Sequence, residues 1–336
     1  MAETIPEPDA TTLEIRAALR EAIKQLRAAN VPSHSLAAEL LLMHVLRRDR
    51  TWLYTHPEAG IEPLAVETYF ALVARRAAGE PTQYLTGRQE FWGLEFEVTP
   101  AVLIPRPETE HVIEVALERL GDRSEPLCIA DVGTGSGCIA IALACELPLA
   151  EVVATDISAA ALEVAQRNAT RHHVSDRIRL VACDLLSAVA GPGVGLVGAP
   201  IGSAWPTTGA VPAPAPAPTA GSPRAPFDLI ISNPPYVSRE EASKLPREVR
   251  EHEPDVALFA GLAGIEICER LIDQADALLR PAGLLVLELG YNSEDRVRDI
   301  LAAHPNWRDV RITNDLAGIP RVLATVRTGE PLPSRL

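Results

Sequence analysis

The tetrapeptide Asn233-Pro234-Pro235-Tyr236 ends the apolar run that opens at Phe227. The run reads as a buried strand. Two prolines then remove two backbone donors and forbid continuation as sheet or helix. Each proline also pushes the residue before it toward extended geometry, so the carbonyls of Asn233 and Pro234 point in fixed directions. Asn233 Oδ1 and the Pro234 main-chain carbonyl can both accept from one NH2 group. Tyr236 can pack against a flat group beside them. That set, with Pro235 as the rigid spacer, suits gripping a planar amine or amide by its NH2. A plain proline stop after a strand would look the same in isolation.

A second cluster lies at Asp131–Gly137, the sequence Asp-Val-Gly-Thr-Gly-Ser-Gly. It follows one predicted strand and precedes a helix. Glycines let a backbone turn tightly and let a ligand approach its amides. The spacing Gly133-x-Gly135-x-Gly137 is one residue shorter than the dinucleotide fingerprint. By itself such a loop can equally be a turn required for strand–helix packing. Asp156 ends the next strand about twenty residues on, where a carboxylate can accept both ribose hydroxyls. Asp184, followed by Leu185, ends the third strand. A single Asp at a strand end is commonly a turn or cap residue. Three successive strands presenting a glycine loop, an acid and another acid make a ligand edge of an open α/β sheet. A ribose and an adenine fit it, and no Walker lysine motif is present to suggest a nucleoside triphosphate.

These groups need a scaffold, and the sequence supplies one. Strand patterns at "LCIADVG", "EVVATD", "IRLVACD", "FDLIISN" and "GLLVLELG" alternate with helical patterns at "CIAIALACEL", "SAAALEVAQRNATRHH" and "GIEICERLIDQADALLR". Such alternation predicts an α/β fold with a doubly wound, mostly parallel sheet. Ahead of it, residues 1–80 read as a small all-helical domain. Thr11-x-x-Glu14 is a capping-box start, and Ile15, Leu19, Ile23 and Leu26 repeat at helical spacing. Leu36, Leu40 and Met43 predict a second inward face, and Leu64, Phe70 and Val73 a third. Residues 81–106 alternate apolar and polar around Gly93, which predicts a hairpin linker. Residues 107–336 then form the domain that carries the chemistry. Its helix opens at Pro107 with early glutamates. Residues 187–226 are a Gly/Pro/Ala-rich insertion, uncharged between Asp184 and Arg224. Its Pro-Ala repeat favours extended polyproline and builds no core.

The arrangement resembles the S-adenosylmethionine-dependent methyltransferases that modify amino groups conjugated to a π system. The strips Pro81–Glu110, "DVGTGSGCIAIALA", "ATDIS", "FDLIISNPPYV", "REHEPDVAL", "LELGYN" and "NDLAGIPRVL" narrow it. Together they resemble the release-factor glutamine methyltransferases, the PrmC/HemK family, over nearly the whole chain. The resemblance implies a protein-(glutamine-N5) methyltransferase using S-adenosyl-L-methionine. Its substrate would be the glutamine of the Gly-Gly-Gln motif in peptide-chain release factors. Gly133, Thr134, Gly135, Ser136, Gly137, Asp156, Asp184, Leu185 and Asn233 would contact the cofactor. Asn233, Pro234, Pro235 and Tyr236 would hold the glutamine, with Asn233, Pro234 and Tyr236 as the catalytic set. The amino-terminal bundle would dock the release factor. Two departures stand out: the long Pro/Ala segment, and "FAGLAGIEIC" where many members carry a Gly-Gly-x-Asp-Gly-type loop. That altered loop is expected to lie away from the Asn-Pro-Pro-Tyr motif.

Composition trims the rival readings. The net charge of −14 and the lack of a basic domain interleaved with aromatics disfavour a nucleic-acid amino methyltransferase. Asn-Pro-Pro-Tyr alone would not exclude it, since adenine also offers an NH2 on a flat ring. Methylation of a ribosomal protein's glutamine remains a second rival, and a catalytically silent binding protein a third. The acidic amino terminus shows no signal peptide, and no unbroken apolar run reaches the roughly 18 residues of a membrane helix. The expectation is a cytoplasmic monomer with no membrane contact. None of the five cysteines forms a Cys-x-x-Cys pair and the eight histidines show no ligand spacing. Free thiols and no metal are therefore expected. His252 is the nearest candidate base in sequence, with a structural role beside Pro254 expected instead.

Overall fold

The computed structural model describes residues 12–121, 125–189 and 227–328. Thr11 and residues 190–226 of the predicted insertion lie outside them. The described chain forms two units, one of residues up to Arg88 with Leu245–His252, the other of Gln89–Lys244 and the chain from Glu253 onward.

The first unit is helical, with helices Ile15–Ala28, His34–Leu46, Arg50–Thr55 and Pro63–Ala77. The first of them starts at Ile15 rather than within the expected capping box, because Leu13–Glu14 pair as extended chain with Gly60–Ile61. Its buried stripe is Ile15, Ala18, Ala22 and Leu26, leaving Leu19 and Ile23 half-buried. The expected face of the second helix is shifted. Leu36 is exposed, and Ala37, Ala38, Leu41 and Leu42 are buried. That helix is apolar almost all round, so its periodicity selects no face. Leu64 is exposed as well, since the inward stripe of its helix runs through Tyr69, Val73 and Arg76. Arg76 is buried and donates to Glu248 Oε2 at 2.5 Å. That ion pair fastens the short helix Arg247–His252, which carries His252, within this unit.

The second unit is built on seven strands: β1 (Cys128–Val132), β2 (Glu151–Asp156), β3 (Ile178–Ala182), β4 (Phe227–Ser232), β5 (Leu279–Glu288), β6 (Trp307–Asn314) and β7 (Pro320–Arg327). Their spatial order is β6-β7-β5-β4-β1-β2-β3. The five from β5 to β3 run parallel, while β7 is antiparallel to both of its neighbours. This is the expected doubly wound, mostly parallel sheet. Period-2 alternation splits its side chains between two cores. Ile129, Ile231 and Val286 face helices Glu110–Leu120 and Cys138–Glu146, and Ala130, Ile230 and Leu285 face helix Glu266–Leu278. Burial on both faces accounts for the near-continuous apolar sequence of the central strands.

The chain travels outward from β1 through β2 to β3 and then returns to the other side of β1 for β4. The strand order therefore reverses between β1 and β4, where ligands bind in such sheets. The strands Arg88–Phe91 and Leu94–Glu97 form the predicted hairpin, turning at Trp92 and Gly93 with φ of 56° and 69°. Positive φ is unfavourable for a tryptophan. It is held there by Trp92 N–H donating to Glu110 Oε1 at 2.8 Å and Nε1–H donating to Glu146 Oε1 at 2.8 Å.

Candidate active site

The reversal point carries two loops, Gly133–Gly137 after β1 and Asn233–Tyr236 after β4. Ser232 Oγ donates to the Val132 carbonyl at 2.6 Å and fastens the two strand ends together. The N–H groups of Gly133 and Thr134 both donate to Thr155 O, at 2.8 and 2.9 Å, which ties the glycine loop to β2. Asp156 then meets the loop directly. Its Oδ2 accepts from Gly135 N–H at 2.9 Å and its Oδ1 from Ser158 N–H at 2.8 Å. Burial pushes its pKa up and these amides oppose the shift. Each carboxylate oxygen keeps a lone pair for a further donor.

A cleft of about 780 Å³, including its open mouth, lies over these groups. Gly133, Gly135, Asp156, Asp184, Leu185, Asn233 and Pro235 line it, so the structure brings most of the sequence-predicted residues together. Gly133 and Gly135 have φ of 72° and 56°, and a Cβ added at either would meet no protein atom within 4 Å. The loop thus offers bare backbone to open space, as a nucleoside-bearing ligand requires. Asp184 is exposed and its Oδ2 lies 2.5 Å from Arg270, so its charge is already compensated. The adenosyl and methionyl parts of S-adenosyl-L-methionine fit this donor and acceptor set.

Five predicted residues stand elsewhere. Thr134 and Ser136 are buried behind the loop, with Thr134 Oγ1 donating to Asp131 Oδ2 at 2.6 Å. Gly137 caps helix Cys138–Glu146, where a Cβ would press on Ile141 and Ala165 at 3.0 and 3.2 Å. These three shape the loop; their side-chain positions do not face the cleft. Tyr236 faces a different, polar cleft with Ser238, Glu241, Tyr291 and Arg296. Its ring packs on Gly290 and its hydroxyl lies 3.4 Å from Glu288 Oε1. Pro234 is buried beneath the turn.

The altered 259–268 loop lies against the motif, contrary to expectation. Phe259–Gly261 pair in parallel with Val237–Ser238, and a Cβ on Gly264 would come within 2.7 Å of Tyr236 O. Small residues in that loop let it run beside the backbone leaving Tyr236.

Sequence reasoning assigned no role to several residues that organise the site. Asn233 Nδ2 donates to Thr109 Oγ1 at 2.9 Å, and Thr109 Oγ1 donates to Glu288 Oε2 at 2.6 Å. Glu288 is buried at the end of β5, and burial pushes it up to about 7 against the pull of Thr109 and Arg321. Arg106 binds both oxygens of Glu253, just ahead of the cleft residues Pro254, Val256 and Ala257. Asn168 Nδ2 donates to Ser136 O and Glu97 O, joining the glycine loop to the hairpin. All but Asn168 fall in the strips Pro81–Glu110, "REHEPDVAL" and "LELGYN". The available signal was polar residues beside otherwise apolar elements. Among the described residues no His/Cys/Asp/Glu group could hold a metal, and no helix is long and apolar enough to cross a membrane.

Comparison with known proteins identifies the family. Residues 17–87 match the PrmC N-terminal domain model, and residues 107–191 the ribosomal protein L11 methyltransferase (PrmA) model. A release factor glutamine methyltransferase of Koribacter versatilis (strain Ellin345) is 42% identical over 93% of this chain and 98% of its own. Another, of Moorella thermoacetica, is 39% identical over 95% and 100%. Among solved structures the hMettl16 catalytic domain aligns with a TM-score of 0.50 at 19% identity, covering 79% of this chain and 84% of that one. That likeness concerns the fold. The chain is an S-adenosyl-L-methionine-dependent methyltransferase, and it belongs to the release factor glutamine methyltransferase family.

Proposed function

We propose that the protein methylates the side-chain amide nitrogen of the glutamine in the Gly-Gly-Gln motif of peptide-chain release factors. The observation that carries this is the placement of Asn233 and the glycine loop on adjacent strand ends over one cleft. Gly133, Gly135, Asp156, Leu185 and Asn233 would hold S-adenosyl-L-methionine. When bound, that cofactor supplies an electrophilic methyl on a sulfonium sulfur. An amide nitrogen is a weak nucleophile because its lone pair is delocalised. Asn233 Oδ1 and the Pro234 carbonyl accept its two hydrogens, fix its plane and favour build-up of positive charge on it. Pro235 and Tyr236 keep that turn rigid. Catalysis on this reading is mainly positioning and electrostatics. The helical unit, with its match to the PrmC N-terminal domain, would dock the release factor.

The similarity to the ribosomal protein L11 methyltransferase model ends at residue 191, before Asn233, and so bears on the cofactor half rather than on the acceptor. Mass spectrometry of the Gly-Gly-Gln peptide tests the proposal, after incubation of an unmethylated release factor with labelled cofactor and the enzyme. One methyl on that glutamine is expected, lost in Asn233→Ala. No methyl there, with folded and cofactor-bound protein, would redirect the search to ribosomal proteins or nucleic acid.

A further inference from the structure

An asparagine amide can sit in either of two orientations that differ only in which end, oxygen or NH2, faces a given neighbour. On the reading above only one is productive, with Oδ1 toward the acceptor's NH2. The other would set two NH2 groups face to face. Something must therefore choose.

Thr109 is 2% exposed and sits in the short turn Pro107–Thr109 that opens helix Glu110–Leu120. Its hydroxyl has a single hydrogen. Glu288 Oε2, 2.6 Å away, is an acceptor whenever it carries no proton, and it takes that hydrogen. The Thr109 oxygen can then only accept on its other side. Asn233, 2.9 Å away, must meet it with N–H, which leaves Oδ1 for the cleft that Asn233 lines. The flipped amide would put Oδ1 against an oxygen that has no hydrogen to give, in a place too buried for water to repair. The more distant Tyr236 hydroxyl, at 3.4 Å, engages the opposite oxygen, Oε1. A proton there would leave Oε2 free to accept.

We propose that Glu288 is a positioning residue for methyl transfer: acting through Thr109, it fixes the orientation of the Asn233 amide and so makes Oδ1 the acceptor that receives the substrate. The inference rests on the proposed role of Asn233, and its test is arranged to separate the two.

The direct readout needs no turnover. In cofactor-free protein labelled with 15N-asparagine, one Asn233 Nδ2 proton should exchange slowly in the wild type and in Thr109→Ser, which keeps the hydroxyl. In Thr109→Val, which keeps the shape, that protection should vanish. A wild-type Asn233 amide with both protons exchanging freely would overturn the inference whatever the methylation assay shows. Kinetics supply the second arm. Thr109→Val should lower kcat about tenfold or more while the cofactor dissociation constant stays within about twofold. Thr109→Ser should retain kcat within about threefold. Glu288→Gln should fall between them, and Thr109→Val with Glu288→Gln should be no slower than Thr109→Val alone, because the carboxyl then has no route to Asn233. Wild-type kcat in Thr109→Val, or losses that multiply in the double variant, would refute it. An absence of wild-type methylation would instead sink the proposed substrate, with the exchange measurement still deciding the inference.

Discussion

Arg106 Nη2 lies 2.6 Å from one carboxylate oxygen of Glu253 and 2.7 Å from the other, and the Glu253 side chain is almost wholly buried. The pair joins the segment before helix Glu110–Leu120 to the segment that carries Pro254, Val256 and Ala257 into the cleft. Removing Arg106 takes the two-oxygen partner away from a buried carboxylate. Arg106→Ala is therefore expected to cost about 3 kcal/mol, read from urea denaturation. Adding Glu253→Ala should give back part of that loss, since the buried carboxylate is then removed as well. Strict additivity of the two substitutions would show that the pair is not coupled.

Gly290 supports Tyr236. A Cβ built there would meet the Tyr236 ring and Cβ at 2.9 to 3.0 Å. Gly290→Ala should shift the phenol and with it the Asn-Pro-Pro-Tyr turn. On the proposed function kcat falls about tenfold while the melting temperature drops by only a few degrees. Full activity in this variant would mean that the ring position is unimportant.

Gly135 tests the cofactor cradle. At φ 56° an alanine is strained, and its methyl would project into the open cleft. The strain should cost about 1 kcal/mol of stability. Cofactor affinity, read by calorimetry, should weaken about tenfold or more because the backbone can no longer be approached. Unaltered affinity would move the binding surface away from this loop.

Asp131 should leave a pH signature. Burial raises it from the ordinary 3.8 to about 7, with Thr134 and the Ala140 amide opposing the shift. Between those values the folded protein holds a proton that the unfolded chain has lost. Stability from this group is thus present at low pH and is lost as pH rises toward 7 and beyond. Asp131→Asn never ionises. Its stability relative to wild type should climb between about pH 4 and pH 7, by at most about 1.4 kcal/mol per pH unit. Denaturation curves of both proteins across that range provide the check, and a constant gap would contradict the assignment.

Much of this architecture could be read from residue order. β1, β2, β3 and β4 are short and mostly apolar, and helices separate β1 from β2 and β2 from β3, so local pattern and global fold agree. The terminal pair was harder. Asp309, at φ 52°, lies in a register shift between Arg308 and Arg311, which breaks the alternation of β6. "NDLAGIPRVL" was legible as a motif but not as the turn and strand that complete the sheet. In the site, Gly133, Gly135, Asp156 and Asn233 announce themselves because glycine runs and Asn-Pro-Pro are poor packers. Thr109 and Glu288 do not. They are 179 positions apart, and their bond exists only once the sheet and the helix Glu110–Leu120 have assembled. The place of the 259–268 loop is illegible in the sequence for a similar reason. Its closeness to Tyr236 arises from a parallel pairing between distant segments.

The Ser232 hydroxyl on the Val132 carbonyl has a metric consequence. β1 and β4 are neighbouring parallel strands, with Asp131 opposite Ile231, so their ends stand one interstrand spacing apart, about 4.8 Å. The bond holds that gap at the point where both loops depart. The span between a group held by one loop and a group held by the other is then measured by backbone pairing, the stiffest ruler a protein has. Loop sequence can drift and change what is gripped on either side, while the interval to be crossed stays constant.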